Sequence, residues 1–369
     1  MMNPKVSIVR SDSYDPGKVY AAVKKAVDLL GGISSFVGFG ETILLKPNVL
    51  SAKPPESGVD THPEMIRAVA RLVREAGAKV IVGDSPGGVY FKDAGSTYEA
   101  AGIKKVCDEE KIELVDFDRA KNVRGMPITE WAFAVDGIIS LPKMKTHGLT
   151  TITGAVKNSY GLAIGLYKAQ CHFKAPRPEA FCRYVVDVFE TAKPRLAIMD
   201  GITAMEGDGP AAGNLRDAGL IIAGSDCVAI DSVFAKLIGI EPLKVEITAE
   251  AYRRGLGEAD ISKIEIVGET IDASRQKNFK LPKTSVLTKL PEPLLKLIMK
   301  GIKFLPRIDD NLCKGCLVCE KSCPAAAIEI DRVRSRIDYS KCVRCFCCME
   351  LCPHKAIHIK RSLLARLIG

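Results

Sequence analysis

Eight cysteines in the last sixth of this sequence form two runs with the same spacing. Each run reads Cys-x2-Cys-x2-Cys-x3-Cys-Pro, and the eight residues are Cys313, Cys316, Cys319, Cys323, Cys342, Cys345, Cys348 and Cys352. Thiolates are soft ligands, and four of them this close together supply what a cuboidal iron–sulfur cluster needs. A zinc ribbon is the alternative, but it pairs two Cys-x2-Cys knuckles and leaves four equivalent positions in each half unexplained. The spacing therefore predicts two [4Fe–4S] clusters.

The two runs belong to an internal repeat of 29 residues. Cys313 aligns with Cys342, Cys323 with Cys352, and the segment Ala327–Ile330 with Ala356–Ile359. Two equivalent halves predict a unit with pseudo-twofold symmetry.

Residues 307–360 resemble a bacterial two-[4Fe–4S] ferredoxin at every ligand position and in the interval between the runs. In proteins with this motif the fourth cysteine of each run ligates the other cluster. One cluster is then expected on Cys313, Cys316, Cys319 and Cys352, and the other on Cys342, Cys345, Cys348 and Cys323.

Five further cysteines fall outside this pattern. Cys347 adjoins Cys348, and moving the ligand by one residue would break the repeat, so we interpret Cys347 as a spare small residue near the second cluster. A redox role or a role as alternative ligand remains open for it. The other four lack metal-ligand spacing and are expected to be small buried residues; they are Cys107, Cys171, Cys182 and Cys227.

The net charge of +9 lies entirely in one part of the 369-residue chain. Residues 282–369 hold 17 Lys or Arg and 8 Asp or Glu, whereas residues 1–281 hold 36 of each sign. A neutral body argues against a nucleic-acid partner, and a basic tail favours an acidic redox protein as partner. The first residues read as a short strand rather than a signal peptide, so we expect a cytoplasmic protein whose clustered cysteines bind metal.

A second constellation follows a predicted buried strand at Gly137–Leu141. Lys143, Lys145 and His147 alternate along the chain, and Lys157 and Asn158 come shortly after them. Such a set could bind an oxyanion, with His147 as the acid or base because nearby lysines lower its pKa. A solvated basic loop and a structural histidine are the alternatives.

Other polar residues follow predicted strands, where open α/β sheets place ligands. The turn VGDSPGG at residues 82–88 has glycines that permit close backbone approach, but it matches neither the dinucleotide fingerprint nor the Walker loop. Lys46, His62, Asp200 and Asp226 occupy comparable positions. Asp226 is equally well explained as the N-cap of the helix that follows it.

The candidate residues must be positioned by strands and helices, which alternate along the chain. Short β-branched runs and amphipathic helical patterns alternate through about residue 270, which predicts an α/β body with a largely parallel sheet. The helices expected from these patterns include one over residues 63–76 and one over residues 227–238. We expect the body at 1–280, a connecting helix at 281–306 and a small α+β ferredoxin-type two-cluster domain at 307–369. The connector has four prolines framing an apolar run with lysines. We interpret it as a docking helix, with contact to a membrane surface as the less favoured alternative.

The body motifs together resemble the family known as domain of unknown function 362, whose members frequently carry a C-terminal ferredoxin module. The resemblance covers about residues 40–240 and depends on the segments LLKPNVL, VGDSPGG, LPKMKTHGLTTITGAVKNSYG, MDGITAMEGDGP and AGSDCVAIDSVFAKLIG. It implies an α/β body fused to a ferredoxin and transfers no reaction.

Three hypotheses follow for function. In the first, the clusters exchange electrons with a small anionic substrate held by Lys143, Lys145, His147, Lys157 and Asn158. In the second, the protein is an electron-transfer or docking subunit of a larger redox complex and performs no chemistry. In the third, the body is a non-redox enzyme whose clusters sense oxygen or hold the tail together.

Overall fold

The computed structural model describes residues 3–165, 167–175, 177–282, 304–331 and 335–361. Within these ranges an α/β body precedes a smaller unit of short strands and helices, which confirms the predicted fold class. Most of the predicted connecting helix lies outside the described residues. No helix in the described ranges has the length and apolar character needed to cross a membrane.

The strands are numbered in chain order. In the body they are β1 Lys5–Arg10, β2 Thr42–Pro47, β3 Lys79–Val82, β4 Glu113–Leu114, β5 Ala120–Val123, β6 Met126–Thr129, β7 Gly137–Leu141, β8 Lys143–His147, β9 Thr151–Thr153, β10 Leu196–Glu206, β11 Asn214–Gly224 and β12 Glu265–Gly268. In the smaller unit they are β13 Phe304–Ile308, β14 Ile328–Ile330, β15 Ser335–Ile337 and β16 Ile357–Arg361.

The helices are numbered in the same way. They are α1 Pro16–Asp28, α2 Pro63–Glu75, α3 Ala94–Ala100, α4 Ile103–Glu109, α5 Trp131–Ala134, α6 Ala155–Asn158, α7 Tyr167–Lys174, α8 Pro178–Thr191, α9 Cys227–Leu237, α10 Glu246–Arg253, α11 Ile271–Ser274, α12 Val318–Lys321 and α13 Cys347–Leu351. Proline at the first position opens α1, α2 and α8, where its missing N–H has no intrahelical partner to lose.

The body is built on a ten-stranded sheet with the order β12-β1-β11-β10-β7-β2-β3-β4. β8 pairs with β10 beyond the end of β7, and β9 pairs with β8. The pairings are parallel except those of β11 and β9 with their neighbours. The carboxyl ends of β2, β3, β7 and β10 therefore lie along one edge of the sheet, called here the carboxyl edge.

Helices cover both faces of this sheet. On β2, Ile43 and Leu45 pack with α1 and α2, whereas Leu44 packs on the opposite face with α8 and α9. Because both faces are covered, β7 and β8 are buried along their whole length. The lysines and histidine of β8 are thus held inside the protein rather than at its surface.

The smaller unit shows the twofold relation that the repeat predicts. β13 pairs with β16, and β15, the repeat equivalent of β13, pairs with β14, the equivalent of β16. Leu317 and Phe346, which are 29 positions apart, both have φ of 61° and precede α12 and α13. β13 begins at Phe304 and so crosses the boundary expected at residue 307.

Candidate functional site

The cysteine sulfurs fall into two groups, each drawn from both runs. Cys319 lies near Cys313, Cys316 and Cys352. Cys348 lies near Cys345, Cys342 and Cys323, and also near Cys319 of the first group.

The second group lines a small cavity whose other walls are mostly apolar. Pro306, Ile328, Ile337 and Phe346 are among these walls. Four soft thiols around an apolar cavity fit a cuboidal cluster. Such a cluster keeps its ligands apart by its own width, and within the described residues no three His, Cys, Asp or Glu side chains converge on a single metal ion.

Equivalent backbone hydrogen bonds occur in the two halves of the repeat. The N–H of Ala327 donates to Cys323 Sγ and the N–H of Ala356 donates to Cys352 Sγ, each at 3.3 Å. Hydrogen bonds to the ligand sulfurs are typical of iron–sulfur sites, so the fourth cysteine of each half has the same supporting contact.

The smaller unit, residues 304–331 and 335–361, is called here the cluster unit, and it docks on the turn that follows β3. Val89 N donates to Ser322 Oγ at 3.2 Å, and Tyr90 Oη donates to the carbonyl oxygen of Leu351 at 3.3 Å. Lys53 Nζ donates to the carbonyl oxygen of Pro353. Of the glycines in this turn, Gly88 has the closest neighbour, because a Cβ there would overlap the Leu351 side chain. The partner that approaches this turn is therefore the protein's own cluster unit.

Three of the predicted site residues converge beneath this docked unit. Lys145 and His147 are 1% exposed on β8, and Lys157 on α6 lies among them with part of its surface accessible. Glu350 of α13 completes the group, with its Oε1 3.4 Å from His147 Nε2. These four residues, Lys145, His147, Lys157 and Glu350, are called the basic site.

The charge state of the basic site follows from its burial. Leu149 N and Thr150 N donate to His147 Nδ1 at 3.1 and 3.3 Å, so the proton of the neutral ring lies on Nε2. Burial lowers the pKa of His147 well below its ordinary value, and nearby Lys157 adds to this effect. The pKa of Glu350 is raised by burial to about 7, although Lys157 and Lys145 oppose that shift. His147 thus presents a neutral N–H donor to a carboxyl group.

Both the His147 Nε2 donor and the Glu350 Oε1 acceptor lack a hydrogen-bond partner within the described residues. The geometry between His147 Nε2 and Glu350 Oε1 falls short of a hydrogen bond, and both atoms are buried with no other partner among the described residues. His172 Nδ1 is in the same condition, and His172 is an electrostatic neighbour of both His147 and Lys157. Buried polar atoms are normally paired, so these unpaired hydrogen-bonding atoms mark a candidate place for a polar ligand or a water molecule.

The two other predicted site residues are used in different contacts. Lys143 Nζ lies 2.7 Å from Asp200 Oδ2 and 2.8 Å from Tyr14 Oη. Asn158 Nδ2 donates to Ser140 Oγ at 2.9 Å, and Asn158 Oδ1 accepts from Lys46 Nζ at 3.3 Å. The structure thus separates these residues from the basic site. The alternative of a solvated loop is wrong for β8, because every residue of that strand is buried.

The remaining strand-end residues have structural contacts, and Asp226, which follows the antiparallel strand β11, lies at the edge of the sheet opposite the carboxyl edge. Lys46 Nζ pairs with Asp84 Oδ1 at 2.7 Å, and both side chains are almost completely buried. Asp226 accepts from Val228 N and Ala229 N, as expected for an N-cap. Asp231 accepts from two backbone N–H groups at the start of α6, which fixes the helix that carries Lys157.

Cys347 is buried between the second cysteine group and the basic site. It lies beside Cys345 and is an electrostatic neighbour of Lys157. The contact with Cys345 and burial raise the pKa of the Cys347 thiol well above its ordinary value. Cys107, Cys171, Cys182 and Cys227 are buried, as the sequence predicted.

Sequence reasoning missed Glu350 and His172. A signal for Glu350 existed in the repeat, because the equivalent position in the first half is Lys321. A charge reversal within an otherwise apolar helix marks a position under a different constraint. His172 gave no comparable signal, since its place depends on how α7 packs against α8, where the ring stacks 4.1 Å from Phe181.

A separate open cavity of about 550 Å³ lies on the other side of the β3 turn. Ser85, Asp93, Asp116 and Phe117 are among the residues that line it. Asp93 caps α3 by accepting from Ser96 N, so its carboxylate already has a structural role. The basic site, with its unsatisfied atoms, is the better candidate for chemistry.

The fold and the cysteine groups define an α/β protein joined to an iron–sulfur electron-transfer unit. Residues 305–353 match the model of the 4Fe-4S dicluster domain, and residues 43–236 match the model of the domain of unknown function (DUF362). The chain belongs to the DUF362 family.

One protein is similar to this chain in sequence, and two solved structures are distantly similar to it. A thylakoid-associated protein of Synechocystis sp. is 35% identical over 262 residues, which cover 69% of this chain and 81% of that protein. Two solved structures share 13% identity with this chain. A Thermotoga maritima protein has a TM-score of 0.35 and matches over 53% of this chain and 52% of its own. The lactate racemase apoprotein of Thermoanaerobacterium thermosaccharolyticum has a TM-score of 0.38, with 61% and 55% covered.

Proposed function

We propose that this protein is a ferredoxin-coupled oxidoreductase that exchanges single electrons with a small anionic substrate bound at the basic site. One observation carries the proposal: α13, which includes the cysteine ligand Cys348, also supplies a wall of that site through Glu350, 3.4 Å from His147. The predicted redox group and the predicted substrate residues are thus joined by a single helical turn.

The chain's own residues have distinct parts in this proposal. Lys145 and Lys157 can supply positive charge for an anion in this largely buried site, where electrostatic attraction is strong, although burial lowers the pKa of both lysines and Lys145 also has Asp60 as an ionic neighbour. His147 directs its Nε2 proton into the same place because its Nδ1 is occupied by two backbone donors. The 4Fe-4S unit supplies single-electron transfer when loaded.

The proposal includes two [4Fe–4S] clusters with crossed ligation, since each group of sulfurs draws on both runs. It also includes a cytoplasmic location and an acidic redox protein as electron partner. The excess of Lys and Arg in residues 282–369 supports such a partner, because opposite charge speeds encounter.

A second candidate is a non-catalytic subunit that docks onto a larger redox complex. This candidate is favoured by the opposite charges within the basic site, where Glu350 lies near Lys145 and Lys157 as in an ordinary docking contact between two units. Anaerobic purification separates the candidates. A stable complex with a larger partner and no ligand binding would support the second, and a ligand-binding protein that purifies alone would support the first.

The anion site can be tested by calorimetry on cluster-loaded protein under anaerobic conditions. Formate, acetate, sulfate and phosphate serve as probes. We expect Lys157→Ala to weaken binding of a probe at least about tenfold, because it removes one of the two lysines that would contact the anion. Lys25→Ala, on the exposed face of α1, is the matched control and should leave binding unchanged. Equal affinity in wild type and Lys157→Ala would disprove the site.

A second measurement links the site to electron transfer. The potential of an iron–sulfur cluster depends on nearby charge. A bound probe should therefore shift the midpoint potential of the cluster in wild-type protein and leave it unshifted in Lys157→Ala. If the protein binds the probe but the midpoint potential of the cluster does not change, the anion site is not coupled to the clusters.

A further inference from the structure

The two helices of the cluster unit are equivalent in sequence but lie in different surroundings. All five residues of α13 are buried, whereas the only residue of the four-residue α12 buried to the same degree is Cys319. Glu350 is the single charged residue of α13, and its counterpart Lys321 is exposed. The second half of the repeat therefore carries a carboxylate into the body that the first half lacks.

The carboxyl group of Glu350 lies in the basic site, where an anionic ligand would be bound. Its Oε1 lies 3.4 Å from the His147 Nε2 donor, and its electrostatic neighbours are Lys157 and Lys145. The contact is loose, since neither Oε1 nor Nε2 completes a hydrogen bond within the described residues. Lys157 also retains accessible surface there.

The position of Glu350 is set by the docking contacts around it. Ser322 accepts from Val89 N on one side, and the carbonyl of Leu351 accepts from Tyr90 on the other. A carboxylate held this way acts at a high effective concentration toward the basic site. Because all five residues of α13 are buried, withdrawal of Glu350 from the site would be expected to shift α13 away from the turn at residues 82–88.

We propose that Glu350 is an internal occupant of the anion site, and that a small carboxylate ligand must displace it to bind. The inference rests on the proposed function and describes its regulation. Ligand binding and the docking of α13 then compete, and by linkage each weakens the other to the same extent. Arrival of the anion would loosen the helix that carries Cys348, so the state of the site is communicated to the cluster unit.

The test uses cluster-loaded, full-length protein under anaerobic conditions, with acetate as the probe. Affinity is measured by calorimetry for wild type, Glu350→Gln and a matched control, Glu329→Gln, at an exposed glutamate of the same unit. Docking is measured by hydrogen exchange of residues 87–93 and 347–351. Glutamine keeps the size of the side chain, so the fold is preserved.

Two results are expected. Glu350→Gln should bind acetate at least about tenfold more tightly than wild type, because an intramolecular competitor is removed, while Glu329→Gln matches wild type. Acetate should also raise exchange at both docking segments of the wild-type protein. The second result separates displacement from a simple change in charge, which would leave exchange unaltered.

Each contrary outcome has a definite meaning. Equal acetate affinity in wild type and Glu350→Gln would overturn the inference and leave the anion site standing. Acetate binding to wild type without any rise in exchange would also overturn it. Failure of acetate, formate and phosphate to bind either protein would overturn both this inference and the proposed function.

Discussion

Lys143 Nζ lies 2.7 Å from Asp200 Oδ2, and Tyr14 joins both residues through its hydroxyl group. Both charged side chains are at most 1% exposed. Removing one partner of a buried ion pair leaves an uncompensated charge, so we expect Lys143→Met to lower the free energy of unfolding by about 3–5 kcal/mol. Chemical denaturation followed by circular dichroism measures the change.

A paired substitution sharpens this prediction. In Lys143→Met with Asp200→Asn, the uncompensated charge is gone, so the double variant should be more stable than Lys143→Met alone. Additive losses in the double variant would show that the two charges are not coupled. Lys143 would then be available for a role in binding.

The close approach of Leu351 to Gly88 leads to a second prediction, which concerns the docking of the cluster unit. Gly88 has φ of 54°, and a Cβ there would overlap Leu351 and crowd Ser322. Gly88→Ala should therefore loosen the cluster unit and raise hydrogen exchange in residues 347–351 and 318–321.

Gly125→Ala is the control for Gly88→Ala. Gly125 has φ of 82°, and a Cβ at this position would meet nothing within 4 Å, so the substitution introduces comparable backbone strain without a clash. If the two variants raise exchange in the cluster unit equally, contact with Leu351 is not what positions that unit.

Crossed ligation leads to a third prediction. Cys352 belongs to the second run but lies with Cys313, Cys316 and Cys319. Cys352→Ala should damage the cluster bound by the first run, and Cys323→Ala should damage the one bound by the second. Iron quantitation with EPR spectroscopy of the reduced variants reads out which signal is lost. Loss of the signal belonging to the variant's own run, in both variants, would contradict the assignment.

Burial of His172 predicts a dependence of stability on pH. Burial lowers the pKa of His172 to about 3 from an ordinary 6.5. Between these values the unfolded chain takes up a proton that the folded protein does not, so stability falls as the pH drops below about 6.5. From about pH 7.5 to about pH 5.5, this one residue should cost about 1 kcal/mol of unfolding free energy.

His172→Gln tests the origin of that loss. Denaturation at the two pH values should show a shallower decline in stability for His172→Gln than for wild type. The exposed His358 provides the comparison, and His358→Gln should decline as wild type does. An unchanged slope in His172→Gln would mean that other groups account for the acid sensitivity.

The sequence predicted the fold well where local pattern decides structure. The spans of α2 and α9 were predicted to within one residue at each end, because Pro63 and Asp226 mark their starts and apolar periodicity marks their length. The cysteine runs were equally informative, since ligand spacing is local. The antiparallel direction of β11 was not predicted, because strand direction depends on the connection from β10 rather than on composition.

The basic site was predicted only in part, for a related reason. Lys145, His147 and Lys157 are close in sequence, so a local reading could group them. Lys143 has the same pattern but is paired with Asp200, 57 residues later. Glu350 comes to His147 from a different unit of the chain, about 200 residues away. Long-range pairing of this kind leaves no periodic trace in one sequence.

The place of β1 in the sheet has a consequence for how the chain folds. β1 lies between β11 and β12, with Val6 opposite Gly224 and Lys5 opposite Glu265. β1 thus has both of its edges open until more than 200 further residues have been made. Contacts this distant in sequence slow folding and leave unpaired strand edges exposed in the meantime. The sheet of the body is therefore expected to be completed late in synthesis, when β11 and β12 can pair with β1.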